Sequence, residues 1–373
     1  MAQKQLISPW FSQPPFHESQ NTHDRRVAII GAGLSGLMTA FHLQNTGFKV
    51  TVFDVAKMLP NRQCKNPAMI LQPSLSPDLN FFDQYYTTGF LGMRQFILQT
   101  IPEAIITTGI TNFAVTKPQQ IKALQIAKKR NIPDEYSDLA LTINPTIFTQ
   151  FLLQQLQETP SLGLDKNPVT LKKDFNAVII ATGQFREWGV AKPGQVSIFP
   201  ENTLSKDRKA LRYQGYCIPD GKDHRVLGAS FRHDHSLEIR EEDHLQNLAH
   251  LAKADPELAK AFETDLAKVT AFTGMRYTEL DHLPVVGGLP IKDMWLKNYE
   301  RLRYGDRRPN YPPCPYHEGL YLNLAHGSKG LSSSFMASQI LTALLTGRAL
   351  PIGVKLWEAI HPARFWLRDL KHA

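Results

Sequence analysis

Cysteine is scarce: the three residues, Cys64, Cys217 and Cys314, lie far apart with no CxxC pair among them. That spacing argues against a structural zinc site and favours a reducing compartment, so the expected location is cytoplasmic. The scattered histidines form no ligand pattern such as HxxxH, and no metal is expected. Long apolar runs are missing too. No stretch reaches the roughly 18 to 20 apolar residues needed to span a bilayer, so no membrane partner is expected. Met1 to Asp24, rich in Gln, Pro, Ser and His, has no apolar core of signal-peptide type, and residues 1–25 read as an extension or loosely ordered arm. Internal repeats and consequential low-complexity tracts are absent, and a hydrophobic content of 42% excludes a disordered chain.

What the chain does have is length, an excess of positive charge and one highly informative segment. Its 373 residues suffice for two or three domains with a sizeable core. The 42 Lys+Arg against 34 Asp+Glu give a formal charge of +8, which suits a polyanionic partner or, equally, general solubility. Two segments interleave cations with aromatics, Arg301 to Arg308 and Arg364 to Lys371. Each reads either as a phosphate and base surface or as a solvated face with aromatic anchors.

The informative segment runs from Arg25 to Asp54. Val27 to Ile30 have the apolar, β-branched character of a buried parallel strand. The strand breaks at Gly31-Ala32-Gly33-Leu34-Ser35-Gly36. Gly31 allows the tight turn, Gly33 lets the backbone approach a pyrophosphate, and Gly36 lets the next helix pack close. The N–H groups at the start of that helix face the anion. Leu37, Ala40, Phe41 and Leu43 give it a core stripe, Gly47 stops it, and Val50 to Phe53 form a second strand. Asp54 then stands where a carboxylate accepts from a ribose hydroxyl, and an acid there argues against a 2′-phosphate. Strand, triplet, helix, strand and acid in register point to an adenine dinucleotide site, without separating FAD from NAD.

Further along, Leu79 to Ile101 and Pro145 to Leu156 read as helices. Phe175 to Gly183 reads as a buried strand ending in a small-residue turn, and its Ala181-Thr182-Gly183 end resembles the strand of two-domain flavoproteins whose backbone passes close to the cofactor. Short alternating runs at Gln195 to Phe199, Gly215 to Ile218 and Arg225 to Ser230 suggest an antiparallel sheet. Glu241 to Ala254 reads as a helix. Gly319 to Ser334 is a strand leading through a glycine-bounded turn into a helix over Phe335 to Leu345. Backbone N–H groups of Gly327, Ser328, Lys329, Gly330 and Leu331 are suited to holding flavin ring oxygens.

Asp281-His-Leu-Pro-Val-Val-Gly287, Ala325-His-Gly-Ser-Lys-Gly-Leu331 and His361-Pro-Ala-Arg-Phe-Trp-Leu-Arg368 carry a closer likeness, joined by Gly215 to Pro219 and Leu227 to Ser230. Through them the chain resembles the FAD-dependent D-amino-acid oxidase and glycine oxidase superfamily. Within it, the chain is most similar to the C-terminal oxidoreductase half of the bifunctional tRNA 5-methylaminomethyl-2-thiouridine biosynthesis family, MnmC, from about Arg26 to Leu370. The resemblance implies an α/β fold: a Rossmann-like FAD-binding domain of glutathione-reductase or D-amino-acid-oxidase type with an inserted antiparallel-sheet substrate domain. The expected bounds are 26–75, 140–190 and 274–373 for the FAD-binding domain, and 76–139 and 191–273 for the substrate domain.

The resemblance also implies oxidation of a CH–NH donor, the 5-carboxymethylaminomethyl group of a tRNA wobble uridine, to the aminomethyl form and glyoxylate. Arg276, His326 and Lys329 are the candidate catalytic residues. Arg276 occupies the Gly-x-Arg position that faces substrate in amino-acid oxidases, where a guanidinium offers a bidentate fork for a carboxylate. The alternative is an ion pair with Asp281 or Glu279. Two departures fall near the cofactor: Cys64 to Pro73 replaces a Ser-Gly-Asn and glycine stretch, and the Leu156 to Phe175 connection is short. Only about 25 residues precede the fingerprint, so methyl transfer is expected to belong to a separate methyltransferase. The competing functional classes are a small-molecule amine oxidase of glycine oxidase type and a flavin-fold protein without catalysis.

Overall fold

The computed structural model describes residues 7–15, 25–59, 62–130, 138–206, 209–263, 266–306 and 310–372. The chain divides into two compact units, one of 1–59, 152–190 and 277–373 and the other of 60–151 and 191–276.

The first unit is built on a six-stranded sheet in the order Val285–Pro290, Tyr316–Leu324, Ala177–Ile180, Arg26–Ile30, Lys49–Asp54, Ser161–Leu162. Arg26–Ile30 lies at its centre because its apolar residues are buried on both faces, which only a covered parallel strand allows. It pairs in parallel with Lys49–Asp54 (Val27 opposite Val50) and with Ala177–Ile180 (Val27 opposite Ala177). Tyr316–Leu324 continues the parallel order, and Val285–Pro290 closes that edge antiparallel. The helices Leu34–Gln44 and Gly330–Thr346 pack together, and His42 Nδ1 lies 2.7 Å from Ser338 Oγ across them. A core of Ile30, Val178, Ile180, Leu322 and Leu324 runs on to Trp188, Trp295 and Trp366.

The amino-terminal segment is not a loose arm where it is described. Phe11 is 5% exposed within this core. Trp357 Nε1 donates to the Phe11 carbonyl at 2.7 Å and Trp295 Nε1 to the Trp10 carbonyl at 3.0 Å. Ser8 Oγ donates to Glu358 Oε1 at 2.6 Å, and Ser12 Oγ accepts from Cys314 N at 2.8 Å. The aromatic pair Trp10-Phe11 is buried area that a Gln- and Pro-rich composition hides. Residues 1–6 and 16–24 of the expected arm lie outside the described residues.

The second unit carries a six-stranded sheet in the order Thr270–Thr278, Val190–Pro200, His224–Gly228, Tyr216–Pro219, Leu211–Arg212, Thr111–Asn112. The central pairings are antiparallel, with Cys217 opposite Leu227 and Leu227 opposite Ser197. A second sheet pairs Met69–Leu71 with Leu141–Ile143 and that strand with Ile105–Thr108. These pairings correct the expected bounds, because they draw 60–75 and 140–151 away from the dinucleotide unit. Local sequence does not reveal a partner strand seventy residues away. The helices Phe81–Thr100 and Pro145–Gln154 end close to their expected limits, and Lys117–Arg130 is a further helix.

Candidate dinucleotide and substrate sites

Three turns meet at the carboxyl ends of the parallel strands in the first unit. Gly31, with φ of +114°, packs so tightly on Ala181 that a Cβ would collide with the Ala181 carbonyl oxygen, and a Cβ on Gly36 would strike the Gly31 carbonyl. Ala325 N donates to the Gly183 carbonyl at 3.0 Å. Gly183, at φ +85°, has the Tyr277 ring where a side chain would stand, and a Cβ on Gly327 would lie 3.3 Å from Thr278 Oγ1. A Cβ on Gly330 would meet Leu34 of the fingerprint helix at 3.8 Å. Gly31, Ala181, Gly183, Gly327 and Gly330, quoted above from separate segments, therefore form one continuous backbone surface.

That surface fits a dinucleotide. Gly33 is the N-cap of Leu34–Gln44 and supplies no side-chain cap, so the first N–H groups, including those of Ser35 and Gly36, remain to meet an anion. Asp54 is buried; its Oδ2 accepts from Ala32 N at 2.6 Å and its Oδ1 from Ala56 N at 2.7 Å. Each oxygen of an ionised carboxylate keeps a second lone pair. Asp54 thus ties the glycine turn to the strand end and retains acceptors for a ribose. The neighbouring edge strand, Ser161–Leu162, is two residues long and pairs with Phe53 and Asp54, as the short connection there requires.

His326 has both ring nitrogens engaged. Nε2 lies 2.9 Å from Asn323 Oδ1 and Nδ1 lies 2.7 Å from Ser333 Oγ. Since Asn323 Oδ1 only accepts, Nε2 carries the proton and Nδ1 accepts from the hydroxyl. Desolvation of the ring pushes its pKa down to about 4. Asn323 Nδ2 reaches back to Thr39 Oγ1 at 3.0 Å and the Ser35 carbonyl at 3.3 Å. His326 in this arrangement is a neutral strut between the glycine turn and the fingerprint helix rather than a free proton acceptor. Lys329 is half-buried and ends the short turn Gly327–Lys329; Ser328 is exposed and Leu331 buried. Asn323 is absent from the expected set. Its signal was present, since a lone amide inside the buried run Tyr321-Leu322-Asn323-Leu324 demands hydrogen-bond partners.

Arg276 lies in the second unit, on strand Thr270–Thr278. Its guanidinium carbon stands 4.7 Å from the centroid of the Phe231 ring. Its Nη1 is closed off from solvent with no hydrogen-bond partner among the described residues. Burial lowers its pKa, opposed by Tyr216, but a guanidinium keeps its charge. Burial pushes the Tyr216 hydroxyl up in pKa, opposed by Arg276 and then by Asn66, whose Oδ1 is likewise buried without a hydrogen-bond partner among the described residues. The departed loop Cys64 to Pro73 therefore contributes Asn66 to this cluster, a residue the sequence reading passes over. In the first unit, Asp281 takes Arg364 in a fork at 2.8 and 3.0 Å, and Glu279 Oε1 accepts from Gly189 N at 2.7 Å. Gly194 packs against the guanidinium, so no side chain fits there.

The cation-aromatic segments resolve as internally paired. Arg301 meets Asp306 at 3.6 Å and Arg303 meets Glu300 at 4.0 Å, while Arg307 and Arg308 lie outside the described residues. In the tail, Arg368 pairs with Asp369, and Trp366 is buried with Nε1 3.2 Å from Glu187 Oε1.

The family described as FAD dependent oxidoreductase matches residues 136–344. The chain belongs to this family. It binds FAD. A second family, pyridine nucleotide-disulphide oxidoreductase, matches 25–213, the part with the fingerprint. The tRNA 5-methylaminomethyl-2-thiouridine biosynthesis bifunctional protein MnmC of Chromobacterium violaceum is 27% identical over 414 residues, covering 97% of this chain and 62% of its own length. That of Aeromonas salmonicida is 26% identical over 419 residues, covering 98% and 62%. The chain thus spans less than two thirds of these relatives. Glycine oxidase from Geobacillus kaustophilus superposes with a TM-score of 0.65 at 13% identity, over 90% of this chain and 98% of that one, which shows a shared fold. No helix among the described residues is long and apolar enough to cross a membrane.

Proposed function

We propose that this FAD oxidoreductase acts on tRNA, removing the carboxymethyl group from 5-carboxymethylaminomethyl-(2-thio)uridine at the wobble position to leave the 5-aminomethyl nucleoside and glyoxylate. The observation that carries the reading is the shielded, unpartnered Nη1 of Arg276, which calls for an anionic ligand group. The tRNA is drawn from the relatives that match nearly the whole chain. Bound FAD supplies the two-electron oxidation of the N–CH₂ bond to the imine, and water releases glyoxylate. Arg276 grips the carboxylate through the fork geometry of a guanidinium. Phe231 holds that guanidinium by its ring face. Asn66 Oδ1 offers the acceptor for the substrate amine. Such a substrate sets the protein in the cytoplasm.

The test is anaerobic bleaching of the purified yellow protein by tRNA bearing the carboxymethylaminomethyl group, with glyoxylate measured alongside. Bleaching by tRNA and not by free glycine is expected. Bleaching by glycine alone would replace the reading with a small-molecule amine oxidase.

A further inference from the structure

The second unit carries a surface element that neither the family nor the active site explains. Helix Lys117–Arg130 is exposed along most of its length. It contains Lys117, Lys122, Lys128, Lys129 and Arg130 and no acid; indeed no Asp or Glu occurs between Glu103 and Asp134. Lys117, Ile121, Leu124 and Lys128 follow the i, i+4, i+7, i+11 spacing that lines one stripe of a helix. Ile121 is 55% exposed and Leu124 71%. Lys129 pairs with Asp78 at 2.8 Å, whereas Lys117, Lys122 and Lys128 form no ion pair among the described residues.

An ordinary solvated helix offsets its cations with acids three or four residues away. This one repels itself and leaves two large aliphatic side chains in water, and both costs are relieved by a flexible-surfaced polyanion that offers phosphates to the lysines and sugar or base faces to Ile121 and Leu124. The arginines of the cation-aromatic segments at 301–306 and 364–369 by contrast have acidic partners, Asp306, Glu300, Asp281 and Asp369. We infer that Lys117–Arg130 is the docking helix for the tRNA body, with Lys117, Lys122 and Lys128 on its phosphates. The inference rests on the tRNA reading above and assigns the surface that recognises it.

The test titrates the FAD-loaded full chain with bulk unmodified tRNA at two salt concentrations. It compares Lys117→Gln/Lys122→Gln/Lys128→Gln with a charge-matched control on other exposed lysines, Lys57→Gln/Lys297→Gln/Lys355→Gln. Glutamine preserves helix propensity, and an unchanged melting temperature verifies folding. Loss of three phosphate contacts should weaken binding at least about tenfold near 0.1 M salt and flatten the log–log salt dependence by about 2, while the control stays within about twofold. Equal binding by the helix variant, or an equal loss in the control, overturns the inference. So does wild-type binding to phosphatidylglycerol vesicles through these lysines without binding to tRNA. Flavin bleaching is read separately. If tRNA binding depends on the helix but bleaching fails, the docking surface stands and the proposed reaction falls; if bleaching succeeds and the helix variant binds normally, the reverse holds.

Discussion

Arg276 is held in a geometry that lysine cannot copy. Its planar group lies on Phe231 with one N–H face unused and closed from water. A lysine keeps the charge but presents a point rather than a fork, and its stem does not cover the ring. Arg276→Lys should therefore slow flavin reduction by substrate at least about tenfold, equivalent to about 1.4 kcal/mol, with FAD content unchanged. Rapid-mixing flavin absorbance checks it; reduction at the wild-type rate would move the carboxylate to another cation. Arg232 is the neighbouring candidate, although it already stands 3.4 Å from Asp243.

At the scale of elements, the fingerprint glycines separate into two roles. Gly36 has no room for a methyl group because the Gly31 carbonyl occupies its place. Gly36→Ala should push the helix Leu34–Gln44 off the turn, costing roughly 1 to 3 kcal/mol of stability as well as FAD. Gly33 caps that helix, so Gly33→Val should lose FAD while the apoprotein melts as wild type. Comparing flavin content and melting temperature of the two distinguishes cradle from scaffold. If Gly33→Val keeps its flavin spectrum, the phosphates lie elsewhere. The amino-terminal segment gives the second prediction. Phe11 is packed beside Trp357 and His361, so Phe11→Ala should cost about 3 to 5 kcal/mol in chemical denaturation. A loosely ordered arm would tolerate the change without loss.

Across the molecule, desolvated histidines set the response to acid, and His42, His326 and His361 are shifted furthest. Burial pushes His42 and His326 down to about 4 and His361 down to about 3. Each binds a proton near pH 6.5 when unfolded and not when folded, so stability is complete above 6.5 and falls as the pH drops towards 4. His361 is 0% exposed, with Nε2 2.6 Å from the Tyr316 hydroxyl and Nδ1 accepting from Ala363 N. It alone should remove about 2 kcal/mol between pH 6.5 and pH 5. Glu279, raised by burial, opposes this in part, since protonation relieves its desolvation. Urea midpoints at pH 7 and pH 5 measure the drop. His361→Asn should be less stable at pH 7 yet show a shallower decline, and a wild-type midpoint unchanged at pH 5 would refute the coupling.

The strand, glycine triplet, helix and acid of residues 26–54 were determined by sequence alone, because each step depends on neighbours within one βαβ unit. The same is true of the antiparallel runs near 195–230 and of the glycine-bounded turn at 325–331. Tertiary structure decided what lies together across distance. It paired Met69–Leu71 with Leu141–Ile143, sank Phe11 into the first unit, joined Asn323 to both His326 and the fingerprint helix, and left Arg276 Nη1 without a hydrogen-bond partner among the described residues. Local pattern reports which face of a segment seeks burial and where the backbone must bend. Which buried polar group meets a partner, and which is left over for a ligand, depends on packing between segments far apart in the chain.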